Sequence, residues 1–574
     1  MSLLDDLCGP VATIECQRAI RPKWLRWLRM VAAIPAAGIA VVVVWIWMLW
    51  AGIEPNFRPG NLLGGGLFAV EITQTVLALL LSPAIIAGVI ASEKDRGTLT
   101  LLLASRLSSR DIILGRLAGC FSQVFLIAAA ALPMIVLLAA FRRVRLYELL
   151  LLIGLPAAVA LGAGGMAVAA STLAKRGRDA LLATYLIEVL LILASFFGMR
   201  RPEFAWLQFF NPFTAMYRLV FAGDVGSATF TTALWLLLAA AGTLLAILQL
   251  RPAYRRQTGG QTRKRLLGRR WAPAVSDRPM LWKELYIESK GSLGMMSRWL
   301  TRLFVTLLAA GGTVVLGFVA WNFFHGTGGL PPAVETIAMI LAATATYVVW
   351  LIEWATGLRA AGVITGERQR STWDAILTSP LEGREIITAK VCGSLYSLRY
   401  LALATCFAWS AAVLAGHMSI SACATSLALL VAGSAFMAAI GVAVSMAGSS
   451  PNRGMAITIG MWMVGALGTS VIAGFLSGVA MLLVMFVAAP LAESANFRPS
   501  VAFDVAGLIW GVFYVLLRVG LYLGAALLAI SWVLARFDAL AGRMGTIPLG
   551  ELAKRSFDSL TGIPIEDEPK PAAP

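Results

Sequence analysis

The feature that most restricts the fold of this chain is its series of long apolar stretches. A helix needs about 20 apolar residues to cross a bilayer, so apolar runs of this length with few charges are typical of membrane-spanning helices. By this criterion the sequence predicts about twelve spans. The first six are Val31–Ala51, Ala69–Ala91, Leu117–Ala140, Leu149–Leu173, Ala180–Gly198 and Thr229–Leu250. The second six are Leu303–Phe323, Thr336–Ile364, Val391–Ala415, Ala422–Met446, Met455–Phe475 and Gly507–Ala535.

Composition leads to the same conclusion. Of the 574 residues, 59% are hydrophobic and 13% are charged, whereas a soluble domain has about 45–50% apolar and about 25% charged residues. We therefore predict an all-α polytopic membrane protein of about 12 transmembrane helices in two duplicated six-helix halves. Two regions are not explained by a single membrane-spanning helix. The run Met455–Pro490 is too long for one, and the aromatic-rich stretch RRPEFAWLQFFNPF predicts short interfacial or re-entrant helices.

The strong positive charge is explained by membrane orientation. The net charge is +17, with 47 Lys and Arg, and membrane proteins concentrate such residues in cytoplasmic loops. Most of them fall in inner loops when both termini are cytoplasmic, which predicts a protein of the cell (plasma or inner) membrane without a nucleic-acid partner. One outer loop, FRRVRLYE at 141–148, carries three arginines against this rule. The basic segment Leu3–Met30 is predicted to lie along the membrane surface, uncleaved.

The predicted organisation is two six-span units joined by a linker. Residues 1–250 form the first unit, 251–278 a basic linker, 279–540 the second unit, and 541–574 a cytoplasmic tail whose end is expected to be disordered. The linker contains TGGQT, which is similar to a signature of ABC ATPases. However, the chain has no GxxxxGK[ST] loop to cradle nucleotide phosphates, so we expect no nucleotide site and no enzymatic activity in it.

Cysteine and histidine do not indicate a metal site. The six cysteines form no CxxC pair and mostly lie in apolar runs, which predicts neither a disulfide framework nor a zinc site. His325 and His417 fall at span ends or in outer loops. We therefore expect no metal and no cofactor in this chain.

A charged insert occurs twice, each time after the second span of a half. The stretch ASEKDRGTLTLLLASRLSSRDIILGRLAG (91–119) matches TGERQRSTWDAILTSPLEGREIITAKVCG (365–393) position for position, at an offset of 274 (367 minus 93). The matched pairs are Glu93 and Glu367, Arg96 and Arg370, Thr98 and Thr372, Leu103 and Leu377, Ser105 and Ser379, Leu107 and Leu381, Arg110 and Arg384, and Gly119 and Gly393.

Each insert predicts a short helix that leaves the membrane. Thr98 and Thr372 stand at its N-cap position, and Ser108 and Asp111 have capping-box spacing for the next helix. An apolar stripe at i, i+3, i+4 spacing is formed by Leu99, Leu102 and Leu103, and again by Trp373, Ile376 and Leu377. Such a helix either docks into a groove of another protein or rests on lipid, and two copies favour a two-fold partner.

The insert resembles a known family. The pattern Glu-x-x-x-Gly-Thr-Leu-x-x-Leu-Leu-x-Ser-x-Leu-Ser-x-x-(Asp/Glu)-Ile-x-x-Gly-(Lys/Arg), read from Glu93 to Arg116, resembles the loop after the second span of ABC type-2 permeases. The second copy has Ser371 and Ala389 at two of the glycine positions. PMLWKEL (279–285) resembles the amphipathic elbow before the first span of that family, and PVATIECQ (10–17) is a weaker version. NPFTAMYR (211–218) resembles the segment before the last span.

The resemblance implies a function for the whole chain, that of the membrane permease of an ATP-dependent exporter. In that family the loop is the coupling helix of the permease, and it contacts a separate ATPase subunit. The implied partners are therefore two ATPase subunits, which bind ATP and Mg²⁺, and membrane lipid. The stripe residues would then carry the docking. The charged residues Glu93, Arg96, Glu367 and Arg370 would set its orientation.

Charged residues inside spans are costly and mark candidate transport paths. The best candidate is Glu353, between Trp350 and Trp354, and the next are Glu188 and Arg518, with Glu71 and Gln74 near the outer end of the second span. A buried pair would explain them as well. Two alternatives stay open: an ion-coupled secondary transporter, which needs intramembrane carboxylates in both halves, and a non-transporting anchor or sensor. The substrate stays open too.

Overall fold

The computed structural model is helical throughout the ordered elements that it describes, and no strand occurs among them. The described residues are 14–17, 25–27, 29–30, 33–34, 36–41, 43–44, 60–95, 97–105, 107–174, 177–258, 278–288, 295–326, 329–369, 371–448, 454–466, 468–469 and 499–541. The prediction of an all-α polytopic membrane protein is confirmed.

The first half is described from the second span onward. Its helices are α1 (Gly60–Ile86), α2 (Gly88–Asp95), α3 (Leu99–Ala104), α4 (Ser109–Ala128), α5 (Leu132–Arg142), α6 (Leu146–Leu173), α7 (Gly177–Arg200), a 3₁₀ helix (Pro202–Phe210), α8 (Pro212–Tyr217) continuing into a π turn (Arg218–Ala222), and α9 (Val225–Thr258).

The second half repeats this order from residue 332 to residue 466. Its helices are α10 (Pro279–Trp282) continuing into a π turn (Lys283–Glu288), α11 (Met295–His325), α12 (Pro332–Ala361), α13 (Val363–Gln369), α14 (Trp373–Leu377), α15 (Gly383–Tyr396), α16 (Arg399–Leu414), α17 (Ile420–Ala447), α18 (Gly454–Ala466), α19 (Pro499–Ala535) and α20 (Phe537–Ala541).

Most of the predicted spans have a matching helix. Within the described ranges, nine helices are long and apolar enough to cross a membrane, or ten if α15 and α16, which bend by 46°, form one broken span. These correspond to all the predicted spans except the first and the eleventh. The first, Val31–Ala51, lies largely outside the described residues. Of the eleventh, Met455–Phe475, the description covers the shorter helix α18 and residues 468–469.

The sequence offset of 274 is kept in the three-dimensional repeat. Helix α4 begins at Ser109 and α15 at Gly383, while α6 covers residues 146–173 and α17 covers 420–447. The capping box predicted for α4, Ser108 with Asp111, is present. Because no residue is inserted or deleted over this stretch, equivalent side chains occupy equivalent points of the two halves.

The two halves share an apolar core. A continuous buried cluster contains residues of α1 and α7 from the first half and of α11, α12, α17 and α19 from the second. Helix α7 packs directly against α11 and α12. At this contact the rings of Tyr185 and Trp354 have their centroids 5.4 Å apart. The fifth span of the first half is therefore part of the interface between the halves.

The end of the bundle opposite the inserts carries the short helices predicted from its aromatic sequence. Asn211 caps α8 by accepting a hydrogen bond from the Phe213 N–H at 3.1 Å. The arginine-rich loop is a short turn in which Arg143 has a left-handed backbone, with φ of 59°. Arg142 donates to the carbonyl of Val220 at the end of the π turn. One arginine of the exceptional loop thus lies at the carbonyl end of a helix, where a cation is favourable.

Candidate functional site

The second span of each half is broken just before its insert. A helix break frees backbone N–H groups, which then need other acceptors. In the first half the N–H groups of residues 90 and 91 donate to Ser171 Oγ at 3.2 and 3.1 Å. In the second half those of residues 364 and 365 donate to Ser445 Oγ at 3.0 and 3.1 Å. A serine of the fourth span therefore holds the break in both halves.

The inserts form two loops, insert loop 1 (residues 93–116) and insert loop 2 (residues 367–390), which turn at matched left-handed residues. Gly97 has φ of 73° and Ser371 has φ of 55°. Glycine adopts this left-handed backbone conformation without strain, whereas for a residue with a Cβ the conformation costs about 1–2 kcal/mol. The backbone turn is therefore kept in loop 2 although its glycine is replaced.

Thr98 and Thr372 precede the loop helices, as predicted, but do not cap them. Both have right-handed helical backbone angles, and neither side chain accepts a hydrogen bond from its helix. Their hydroxyls donate backward to the carbonyl oxygens of Glu93 and Glu367, at 3.3 Å in each case. Thr98 also reaches the Glu93 carboxylate. The predicted N-cap position is therefore correct, but the capping bond is absent, because a capping residue normally has an extended backbone and both threonines have helical backbone angles.

The apolar stripe of each loop helix faces the core of this chain. Leu99 is 0% exposed and Trp373 is 3% exposed. The remaining stripe residues are partly buried against the same clusters, namely Leu102, Leu103, Ile376 and Leu377. A side chain that binds a partner must be accessible, so Leu99 and Trp373 attach the loops to this chain. The expectation that these two face another protein is corrected.

A basic side chain ties each loop to the end of the fourth span. Lys94 Nζ donates to the carbonyls of residues 171, 172 and 174 at 3.3, 2.5 and 3.0 Å. Its counterpart Arg368 donates to the carbonyl of Gly448 at 3.3 Å. The last carbonyls of a helix lack intrahelical donors and carry its negative partial charge. Both cations therefore complete a helix terminus while holding the loop.

A three-residue charged network lies behind insert loop 1. Arg116 of α4 donates to Glu93 Oε1 at 2.8 Å and lies 3.3 Å from Glu15 Oε1. Glu15 belongs to the predicted elbow PVATIECQ. The three side chains are 16–27% exposed. The other predicted charges of the loops, Arg96 and Arg370, lie outside the described residues.

The network behind insert loop 2 has the same plan and lies deeper. Lys390 of α15, at the position of Arg116, binds Glu284 Oε1 at 2.6 Å and Glu367 Oε1 at 2.7 Å. Glu284 belongs to the elbow PMLWKEL. The side chains of this trio are 0–5% exposed, and Lys283 adds a second cation 3.0 Å from Glu367. Buried ions are stable only when they are paired, as these are. Through these pairs the network joins the elbow to the second and third spans.

A matched glycine lets each elbow approach the third span. A Cβ on Gly119 would lie 3.0 Å from Glu15 Cβ, and a Cβ on Gly393 would lie 2.7 Å from Glu284 Cβ. Carbon atoms pack at about 3.5–4.0 Å. The identity of these two positions in the repeated insert is therefore explained by the close contact of elbow and third span.

The end of the sixth span supports insert loop 1 from another side. Helix α9 continues to Thr258, so the linker predicted to start at residue 251 begins as helix. From this extension Arg251 donates to the carbonyl of Leu107 at 3.3 Å, and the Tyr254 hydroxyl donates to Thr100 Oγ1 at 3.1 Å.

The second half has a corresponding support. Phe537 of α20 packs on Gly383 so closely that a Cβ there would come within 2.6 Å of the ring. Arg368 of the loop donates to the carbonyl of Leu540 at 2.9 Å. Each loop is therefore attached to its elbow and to the second, third, fourth and sixth spans of its own half.

Glu353, the best intramembrane candidate, is buried and hydrogen-bonded. It is 3% exposed, and its Oε2 accepts a hydrogen bond from Trp462 Nε1 at 2.6 Å. A Cβ on Gly433 would overlap its carboxylate, so α17 passes directly against it. Arg518 of α19 donates to the Tyr522 hydroxyl at 3.4 Å. The structure therefore brings the predicted Glu353 and Arg518 into one region of the second half.

Glu188 lies on α7, the helix at the interface between the halves. It is 3% exposed, and its Oε1 makes no hydrogen bond to any described residue. At the offset of 274, Glu188 corresponds to Trp462, and Glu353 corresponds to Leu79. Each half thus carries one of these buried carboxylates, on the fifth span in the first half and on the second span in the second.

The sequence analysis did not identify most members of the charged networks as site residues, namely Glu15, Arg116, Glu284 and Lys390. A signal was present, because both elbows contain a glutamate and the repeated pattern ends on a basic residue in both copies. The missing information was that the elbow packs on the third span.

No group of three or more metal-ligating side chains occurs in the part of the chain that the structure describes.

Comparison with known protein families gives a match for part of the chain. No curated protein matches the sequence. Residues 335–489 match the family model described as ABC-2 family transporter protein, a range that includes insert loop 2 and Glu353. The match confirms the resemblance to ABC type-2 permeases over residues 335–489.

Proposed function

We propose that this chain is the permease of an ATP-driven exporter in the cell membrane, with both termini and both insert loops in the cytoplasm. A separate ATPase, with two subunits per chain, docks on the loops and binds the ATP and Mg²⁺. The observation that carries the proposal is the same loop architecture in two copies, one of them within the ABC-2 domain.

The attachments of the loops suit them to transmit movement. Insert loop 2 is joined to its elbow and third span through Lys390, to its fourth span through Arg368, and to the helix after its sixth span through Phe537. A push on such a loop moves several spans together. Closing of two ATPase subunits would then move the two halves against each other, provided that ATP binds the two states unequally.

The docking surface of this proposal lies on the outward side of the loop helices. Leu101 is 74% exposed, and Ala375, at the equivalent position, is also exposed. Neither is part of the inward stripe. A glutamate at position 101 or a lysine at position 375 places charge in a docking contact without disturbing the core.

The test is capture of the ATPase from native membranes. We expect an ATPase subunit to copurify with tagged wild type in mild detergent, and its yield to fall about tenfold with a Leu101→Glu, Ala375→Lys double variant. The matched control is Leu146→Glu, which changes an equally exposed leucine (73%) at the opposite end of the bundle and should retain the ATPase. Retention by the double variant would refute this docking surface. Absence of any ATPase from wild type would refute the function.

The transport path of this proposal runs along the interface between the halves, past Glu353, Arg518 and Glu188. Its support is the burial of both carboxylates and the packing of α7 against α12. Glu353→Gln keeps the side-chain shape and removes the charge. We expect it to keep the ATPase bound and to change ATP turnover of the reconstituted complex about threefold or more. Glu335→Gln, at the exposed start of the same helix, is the control and should have no effect.

A second candidate is an ion-coupled secondary transporter, which the presence of a buried carboxylate in each half favours. Proteoliposomes of the chain alone, loaded with a pH-sensitive dye, would then show proton movement that Glu188→Gln and Glu353→Gln abolish. Copurification of an ATPase without such proton movement would exclude this candidate. An ATPase whose turnover is indifferent to every permease variant would instead indicate an anchor.

A further inference from the structure

The two insert loops present different chemistry at equivalent outward positions. From this difference we infer that the partner ATPase has a docking groove with an apolar floor and a basic rim, and that insert loop 1 binds through the floor and insert loop 2 through the rim. The inference rests on the proposed function and adds to it that the two loops are not interchangeable.

Besides the exposed Arg110, insert loop 1 has several exposed positions that carry no charge. Its exposed positions on and after the loop helix include Thr100, Leu101, Ala104 and Ser108. Leu101 projects most, at 74% exposed. The Thr100 hydroxyl accepts a hydrogen bond from Tyr254 at 3.1 Å. A single exposed leucine among uncharged positions fits an apolar depression in a partner.

At the same four positions insert loop 2 has two acidic residues, one smaller residue and one polar residue. They are occupied by Asp374, Ala375, Thr378 and Glu382, and all four are exposed. At these four positions loop 2 therefore carries two negative charges that loop 1 lacks, and it has only a methyl group where loop 1 has leucine. The shared Arg110 and Arg384 do not alter this difference. Two exposed carboxylates on one short loop are complementary to a basic surface.

The loops share the start of their helices and their attachments, although α3 ends at Ala104 and α14 ends at Leu377, one residue earlier in the repeat. Both loop helices begin at the same point of the repeat, Leu99 and Trp373, and both following helices begin at Ser109 and Gly383. The attachments to the fourth span are also equivalent. Positions 101 and 375 are therefore presented in the same way, and the substitutions decide what each contacts.

An exchange of residues between the loops tests the inference, because each variant carries a residue that the fold already accepts at the equivalent position. Leu101→Ala should weaken ATPase retention about fivefold, equally at about 0.1 and about 0.5 M NaCl, because lost apolar contact is insensitive to screening. Asp374→Thr with Glu382→Ser should weaken retention about threefold at the lower salt and remove most of its salt dependence.

The sign of the rim charge is tested separately. Asp374→Lys with Glu382→Lys should weaken retention more than the neutral pair if the rim is basic. The inference is overturned if the lysine variant binds more tightly, or if the Leu101→Ala and neutral-pair variants show the same salt dependence. In either case the proposed function still stands, provided that wild type captures the ATPase. Failure of wild type to capture an ATPase overturns both. As a control for folding, the melting temperature of each variant should equal that of wild type.

Discussion

The two charged networks behind the insert loops have one plan and different surroundings. Glu15, Arg116 and Glu93 are 16–27% exposed, whereas Glu284, Lys390 and Glu367 are 0–5% exposed. Water screens the first network, so its ion pairs stabilise little. The second is closed to water, where loss of one partner is costly. The two networks therefore have the same geometry, but their burial decides how much each one contributes to the stability of the protein.

Charge balance follows burial in this comparison. In the first network two carboxylates share one cation. In the second, Lys283 joins Lys390, so two carboxylates meet two cations. The first elbow has Ile14 at the position of Lys283, and Ile14 is 52% exposed. Neutral networks tolerate burial better than charged ones, which explains why the second could close.

The largest difference should come from removing the central cation of each network. Lys390→Met leaves two buried carboxylates with one cation fewer and should lower the free energy of unfolding by about 3–5 kcal/mol. Arg116→Met should lower it by about 1 kcal/mol or less because its network is screened. Thermal unfolding in detergent, followed by the fluorescence of the 18 tryptophans, measures both. Lys390→Arg is the control that keeps the charge, and equal losses in the two halves would contradict the comparison.

The matched glycines should show the next largest effect. Gly393→Ala and Gly119→Ala each force a Cβ against the elbow glutamate and should cost about 1–3 kcal/mol. Hydrogen exchange of the elbow at residues 279–288 should rise in the Gly393 variant as its contact loosens. Gly366→Ala is the control, because no atom lies within 4 Å of a Cβ there. Unchanged exchange in the Gly393 variant would show that the elbow is held by other contacts.

The left-handed turn offers a smaller test with opposite signs. Ser371→Gly should raise the free energy of unfolding by up to about 1 kcal/mol, because the positive φ no longer strains a side chain. Gly97→Ser should lower it by about 1 kcal/mol. The melting temperatures of the two variants should therefore move in opposite directions. A fall in both would mean that Ser371 makes a contact worth more than its strain.

The smallest effect concerns the two threonines. Thr98 reaches both the carbonyl and the carboxylate of Glu93, whereas Thr372 reaches only the carbonyl of Glu367 among the bonds seen. Thr98→Val should therefore cost about 1 kcal/mol, and Thr372→Val less. The same melting experiment compares them, and a larger loss for Thr372→Val would reverse the order expected here.

Much of the fold could be predicted because a membrane span is a local property. Each span needs a sufficient run of its own apolar residues, and its backbone bonds close within the helix. The long runs from Ala69–Ala91 to Gly507–Ala535 accordingly match described helices apart from the eleventh, which is only partly described. The repeated insert was equally accessible, because identical spacing of charged and small residues is visible without any structure.

The direction of the loop helices could not be predicted in the same way. The spacing of Leu99, Leu102 and Leu103 shows that one face is apolar, but it does not show what covers that face. The structure covers it with this chain, which leaves Leu101 as the outward residue. The capping bond of Thr98 is absent because its backbone is helical, whereas a capping residue normally has an extended backbone.

The order and the duplication of the described spans follow from the amino-acid sequence, because apolar length and repeated spacing are visible along the chain. The charged networks follow only from tertiary packing. Glu15 meets Arg116, and Glu284 meets Lys390, because a glycine lets each elbow approach the third span within contact distance. Contacts between residues so far apart in the chain depend on how helices pack, which the pattern of any one segment does not contain.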